Sequence, residues 1–157
     1  MKFTFTEENL KKIEAVRKKY PTALASVMPV IYIAQEQNGY ISEEVMEEIA
    51  NVLGIDKVNV LSVVTFYTMY HTKPMGKYHV QVCTNVSCML RGAYEIFDHV
   101  KSKLGIDNMQ VTSDGKFSLE EVECMGACGG APMVAINEDY FENLTKEKIE
   151  EILDSLK

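Results

Sequence analysis

The chain has 157 residues, 46% of them hydrophobic, and carries 16 Lys and Arg against 23 Asp and Glu, a formal net charge of −7 at pH 7. That length can bury a core in one domain or a small pair, and the acidic balance argues against nucleic acid as a partner, which would call for a basic patch. No apolar run approaches the roughly 18 to 20 residues that span a bilayer, and the opening MKFTFTEENLKK lacks the apolar region of a signal peptide, so a soluble, cytoplasmic chain without direct membrane insertion is expected.

Four helices are expected first. In TEENLKKIEAVRKKY, Leu10, Ile13, Val16 and Tyr20 recur at helical spacing, Thr6 is placed to cap the start and Pro21 to end the helix. A second helix is expected from about Ala23 to Gln37, with Leu24, Val27, Met28, Ile31 and Ala34 along a stripe. Pro29 is awkward there, because an interior proline removes a hydrogen bond unless the helix begins close before it or kinks. Asn38 and Gly39 read as a stop. Ser42 then caps a third helix whose Val45, Met46, Ile49, Ala50 and Leu53 face one way, closed by Gly54. Asp56 opens a fourth, through about Tyr67, in which Val60, Leu61, Val63, Val64 and Phe66 are too apolar for a fully exposed surface. The aromatic and Met residues of TFYTMYHTKPMGK read as packing residues between two halves of the chain.

From there the period changes. KYHVQVC alternates Tyr78, Val80 and Val82 against His79, Gln81 and Cys83, as a half-buried strand does. A helix is expected to start near Cys88 and run to about Leu104, with Ala93, Ile96, Phe97, Val100 and Leu104 on one face. Short strands follow at Met109 to Thr112 and Phe117 to Glu123, joined by a turn at Ser113-Asp114-Gly115, and the second delivers Cys124. Pro132 precedes a strand in MVAIN, a turn at Glu138-Asp139 leads to Tyr140-Phe141, and Thr145 caps a last helix with Ile149, Ile152, Leu153 and Leu156 on one stripe. This order suits a small mixed sheet with helices against it.

All four cysteines lie in this second half, as C-x4-C at Cys83 and Cys88 and, thirty-five residues on, C-x3-C at Cys124 and Cys128. With no secretory signal, two disulfides are not expected. The C-x2-C turns common in structural zinc sites and required for thioredoxin-type redox chemistry are absent, although a four-cysteine zinc site stays open. A [2Fe–2S] cluster suits two separated loops of thiolates better. Its net charge of roughly −2 asks for backbone N–H groups around the sulfurs. Gly126, Gly129 and Gly130, with Ala127 and Ala131, let the backbone come close, and Thr84 and Ser87 are positioned to add hydroxyl donors. The acidity is concentrated here: residues 1–76 carry eight Lys or Arg against nine Asp or Glu, and residues 77–157 eight against fourteen.

The runs VCTNVSCMLRGA and DGKFSLEEVECMGACGGAPM, with the earlier AQEQNGYIS and VVTFYTMY, resemble the thioredoxin-like [2Fe–2S] ferredoxin family over nearly the whole chain. Its members include a subunit of respiratory complex I (NADH dehydrogenase) and matching subunits of NAD-linked or bifurcating hydrogenases and formate dehydrogenases. The resemblance implies an α+β chain, with an N-terminal helical domain over residues 1–75 and a thioredoxin-like α/β domain over 76–157 that carries the cluster. It implies Cys83, Cys88, Cys124 and Cys128 as ligands. It also implies an electron-transfer subunit of an NAD(P)H-linked oxidoreductase, with single electrons passing between the cluster and the flavin of a flavin- and NAD-binding partner subunit, beside a further iron–sulfur or hydrogenase subunit.

The sequence contains no glycine-rich nucleotide fingerprint, P-loop or Ser-His-Asp arrangement, so no catalytic site of its own is expected. None of His71, His79 and His99 lies in a cysteine loop, and all are read as surface or hydrogen-bonded residues. Glu120, Glu121 and Glu123 are read as a solvated strand face, although close to a cluster they would make its reduction harder. A structural zinc scaffold and a freestanding ferredoxin are the alternative functions.

Overall fold

The apolar stripes of the first half and the alternating strands of the second each close on a core of their own. A computed structural model of the chain describes residues 3–157, and it divides into a unit ending at Pro74 and a second unit, Met75–Lys157.

In the first unit α1 (Glu7–Arg17) starts where Thr6 Oγ1 accepts the Asn9 N–H at 3.2 Å. It ends short of Tyr20 and Pro21, and its stripe narrows to buried Ile13 and half-buried Val16, while Leu10 and Tyr20 are exposed. A short 3-10 turn, Leu24–Ser26, leads into α2 (Val27–Asn38). Pro29 therefore falls in the first turn of α2, where backbone N–H groups lack an intrahelical acceptor and its missing donor costs nothing. Val27, Val30, Ile31 and Ala34 are buried, whereas Leu24 is exposed. Ser42 Oγ accepts the Val45 N–H at 3.3 Å to open α3 (Glu43–Leu53), and all five apolar residues expected on one face are buried.

α4 (Lys57–Phe66) opens at Asp56 as expected, although the Asp56 side chain makes no capping bond. Only Val60 and Val64 are buried, and Phe66 is 76% exposed. Of the aromatic segment that follows, Tyr70 is buried within this same unit and donates its hydroxyl to the Met28 carbonyl at 3.1 Å, while Tyr67 and Met69 are exposed.

In the second unit five strands, β1 (Tyr78–Cys83), β2 (Gln110–Val111), β3 (Phe117–Val122), β4 (Val134–Ile136) and β5 (Asp139–Phe141), form a mixed sheet of order β2-β3-β1-β4-β5. β1 and β3 are parallel and the other pairings antiparallel. Two parallel strands need a long crossover, and this one contains α5 (Val86–Met89) and α6 (Ala93–Leu104). Where one helix was expected there are two, because Gly92 takes φ 88°, a left-handed conformation that breaks the first turn from the second. α7 (Lys146–Ser155) starts at Thr145, whose Oγ1 accepts the Lys148 N–H at 3.3 Å. Val80, Val82, Leu119, Val134 and Ile136 of the sheet close on Ile96, Phe97 and Val100 of α6 and on Ile149 and Leu153 of α7.

β1 is not half-buried as its alternation suggested, since His79 and Cys83 on its second face are also buried. The register pairs His79 with Ser118 and Gln81 with Glu120. The His79 ring reaches Ser118 Oγ and Glu120 Oε2, each at 2.8 Å, and Gln81 Nε2 donates to Glu120 Oε2 at 3.0 Å. Glu120 is thus a buried, hydrogen-bonded carboxylate rather than part of a solvated face, because buried polar groups persist where they satisfy one another.

Candidate metal centre

Parallel pairing of β1 and β3 brings the C-terminal ends of both strands to one end of the sheet, with Cys83 in register with Val122. Both cysteine loops leave from that end, the kind of place where α/β sheets hold their ligands. The pairing extends past the strands: the Thr84 N–H donates to the Val122 carbonyl at 3.0 Å, and the Cys83 N–H to the Met133 carbonyl at 3.3 Å.

The first loop is short. Asn85 Oδ1 accepts the Val86 N–H at 2.8 Å and so starts α5, whose third residue is Cys88. Cys83 and Cys88 are 3% and 2% exposed and pack with Ala93, Ala131 and Met133. The second loop runs from Cys124 through a 3-10 turn, Cys128–Gly130, to a cis Ala131–Pro132 bond. Cys124 and Cys128 are exposed, with their sulfurs 3.8 Å apart. Gly126 takes φ 81° and in that conformation aims its N–H at Cys124 Sγ, 3.4 Å away. Tyr140 on β5 donates its hydroxyl to the Met125 carbonyl at 3.1 Å, and the Asn143 N–H donates to the Gly130 carbonyl at 2.6 Å.

The four thiols are free and stand as two pairs, one buried and one open to solvent. Among the described residues, no three Cys, His, Asp or Glu side chains converge as ligands of a single ion. Burial, reinforced by the hydrogen bond with Cys83, pushes the Cys88 thiol up to about 11, against the opposing pull of the Met133 N–H, and the charge of Cys128 is also felt there. An unmetallated Cys88 is therefore a thiol at neutral pH. A bound cation would reverse this, because coordination deprotonates a thiol outright.

The structure corrects two expectations at this end of the sheet. The Thr84 hydroxyl donates to Glu121 Oε1 at 2.8 Å rather than to a sulfur, which makes Glu121 a half-buried, bonded carboxylate, while Glu123 is exposed as expected and accepts from Asn85 Nδ2 at 2.7 Å. Sequence reasoning missed Met133, Asn85 and Tyr140. Asn85 alone carried a signal, as an N-cap residue type immediately before a helix. The histidines make contacts elsewhere, His79 as above and His99 with its Nε2 3.5 Å from Glu150 Oε2.

The model of the family described as thioredoxin-like [2Fe-2S] ferredoxin matches residues 13–157. An NADH-quinone oxidoreductase subunit from Rickettsia bellii (strain RML369-C) is 46% identical over 158 residues, covering 99% of this chain and 95% of its own length. The mitochondrial NADH dehydrogenase [ubiquinone] flavoprotein 2 of Dictyostelium discoideum is 44% identical over 158 residues, 99% of this chain and 64% of its own. Among solved structures, an NAD+-reducing [NiFe]-hydrogenase in the air-oxidized state superposes with a TM-score of 0.70 over 89% of this chain at 16% identity. This chain spans 24% of that one, and the likeness is one of fold.

Proposed function

The chain belongs to the thioredoxin-like [2Fe–2S] ferredoxin family, and from that premise we propose that it holds a [2Fe–2S] cluster on Cys83, Cys88, Cys124 and Cys128 as the electron-transfer subunit of an NADH-linked oxidoreductase. The observation that carries this reading is the two-by-two grouping of the thiols at the shared end of β1 and β3. A binuclear cluster asks for four thiolates in two pairs.

The donor set fits. Four sulfurs are soft ligands of the kind iron–sulfur clusters take, and the Gly126 N–H already points at the Cys124 sulfur, as an anionic group requires. When bound, such a cluster supplies a one-electron couple. Cys83 and Cys88, buried among Ala93, Ala131 and Met133, would hold the group from within the fold, and Cys124 and Cys128, exposed, would hold it where a partner can approach. Gly126 directs its N–H dipole at the Cys124 sulfur, and so favours the thiolate that ligation needs.

The relatives, an NADH-quinone oxidoreductase subunit and an NADH dehydrogenase flavoprotein, support membership of a multi-subunit NADH dehydrogenase. Within it, a flavin- and NAD-binding subunit would pass electrons to and from this chain, and a further iron–sulfur subunit would complete the relay. None of the helices among the described residues is long and apolar enough to cross a membrane, which suits a place in the part of the complex that faces the cytoplasm. The test is native purification from the source cells. The chain is expected to co-migrate with a flavin-containing chain through size exclusion at physiological salt, and migration as a lone species of its own mass would contradict the subunit reading.

A further inference from the structure

The two cysteine loops are laced together by side chains that do not ligate. Thr84, the residue after Cys83, donates its hydroxyl to Glu121 Oε1 at 2.8 Å, and Asn85 Nδ2 donates to Glu123 Oε2 at 2.7 Å. Glu123 immediately precedes Cys124. The backbone adds a third link, from the Thr84 N–H to the Val122 carbonyl. Asn85 is used at both ends of its amide, since its Oδ1 accepts the Val86 N–H that begins the turn bearing Cys88. Three hydrogen bonds thus tie one loop to the other.

The chemistry of these links is asymmetric. Each acceptor is a carboxylate, and in these contacts each is met by a neutral hydroxyl or amide donor, which fixes its position without cancelling its charge. Glu121 is half-buried, and the Asn108 side chain accepts its backbone N–H at 2.9 Å and so holds β3 at that point. Two carboxylates are therefore tied beside the two loops, the half-buried Glu121 less screened by solvent than the exposed Glu123. An electron added to a centre that is already anionic meets their repulsion.

We infer that Glu121 and Glu123 are positioning residues that hold the reduction potential of the centre down while their links to Thr84 and Asn85 keep its two thiol pairs in register. The inference rests on the cluster reading above. It separates two roles on one set of bonds: charge sets the potential, and the bonds themselves set retention of the cluster.

The experiment is an EPR-monitored redox titration of the full-length holo chain, alongside its iron and acid-labile sulfide content and the rate of iron loss to a chelator. Glu121→Gln and Glu123→Gln keep an acceptor oxygen for Thr84 and Asn85 but remove the charge. Each is expected to hold wild-type iron and sulfide and to titrate at a higher potential, and the double variant at a higher one still. Thr84→Val keeps both charges and the helix cap of Asn85 and removes only the hydroxyl link to Glu121, so faster loss of iron with no upward shift in potential is expected. Glutamine variants with full iron and sulfide that titrate at the wild-type potential would overturn the inference. So would glutamine variants that shed iron as fast as Thr84→Val, because charge would then be serving retention. A wild-type chain without labile sulfide would instead overturn the cluster reading on which the inference stands.

Discussion

Cys83→Ala and Cys124→Ala are each expected to give a folded chain with almost none of the wild type's iron and acid-labile sulfide. Alanine offers no donor atom, and the two substitutions remove one sulfur from each pair, the first buried and the second exposed. With three thiolates left, one side of a four-thiolate binuclear cluster is open to water. The two variants should differ in stability. Cys83 lies inside a small apolar cluster with Cys88, Ala93, Ala131 and Met133, so its loss removes packing, whereas Cys124 sits in an exposed loop where substitution usually changes stability within about 0.5 kcal/mol. Metal analysis with circular dichroism on the same samples checks both points. Wild-type iron and sulfide in either variant would remove that cysteine from the ligand set.

Leu119→Ala is expected to destabilise the second unit by about 2–5 kcal/mol, the range for deleting a fully buried leucine side chain. Leu119 is completely buried on β3, in register with Val80, and lies in the core that α6 and α7 close. Against a typical domain stability of about 5–15 kcal/mol, that is a large share. Because β3 also carries the chain to Cys124, the holo protein should release its metal at a lower denaturant concentration than wild type. Leu24→Ala serves as the control, since Leu24 is 55% exposed and a change within about 0.5 kcal/mol is expected there. Equal denaturation midpoints for Leu119→Ala and wild type would contradict the placement of β3 in the core.

How much of this was legible in the sequence depends on whether the signal was local. α3 could be read almost completely, because Ser42, its five apolar residues and Gly54 are a cap, a stripe and a stop within a single stretch. The strand-to-loop placement of Cys83 could be read for the same reason. What failed was non-local. Whether Leu10, Leu24 or Phe66 is covered depends on neighbours distant in sequence, and periodicity alone does not show that these three remain exposed. Likewise, the burial of His79 and Glu120 follows from a parallel pairing across some forty residues, in which each supplies the other's hydrogen bond. The break between α5 and α6 did have a local cue in Gly92, which was outweighed by the apolar stripe running on to Leu104.

The site divides in the same way. The cysteine spacing and the small residues of the second loop announced a centre built of thiols, and the structure adds its asymmetry, with one pair buried and one exposed. That asymmetry suits electron transfer. With a cluster on the four thiols, the buried pair would keep water away and the exposed pair would leave it open to a redox partner. The direction of the Thr84 hydroxyl, toward Glu121 rather than sulfur, could not be foreseen, since the acceptor lies on a strand that only the fold brings alongside.

The most direct measurement is iron and acid-labile sulfide per chain on anaerobically purified protein, with an EPR spectrum after dithionite reduction. A [2Fe–2S] cluster on the four thiols predicts about two irons and two sulfides per chain and a paramagnetic signal from one added electron. Zinc in place of iron, with no sulfide and no signal, would contradict it and make the four thiols a structural zinc site.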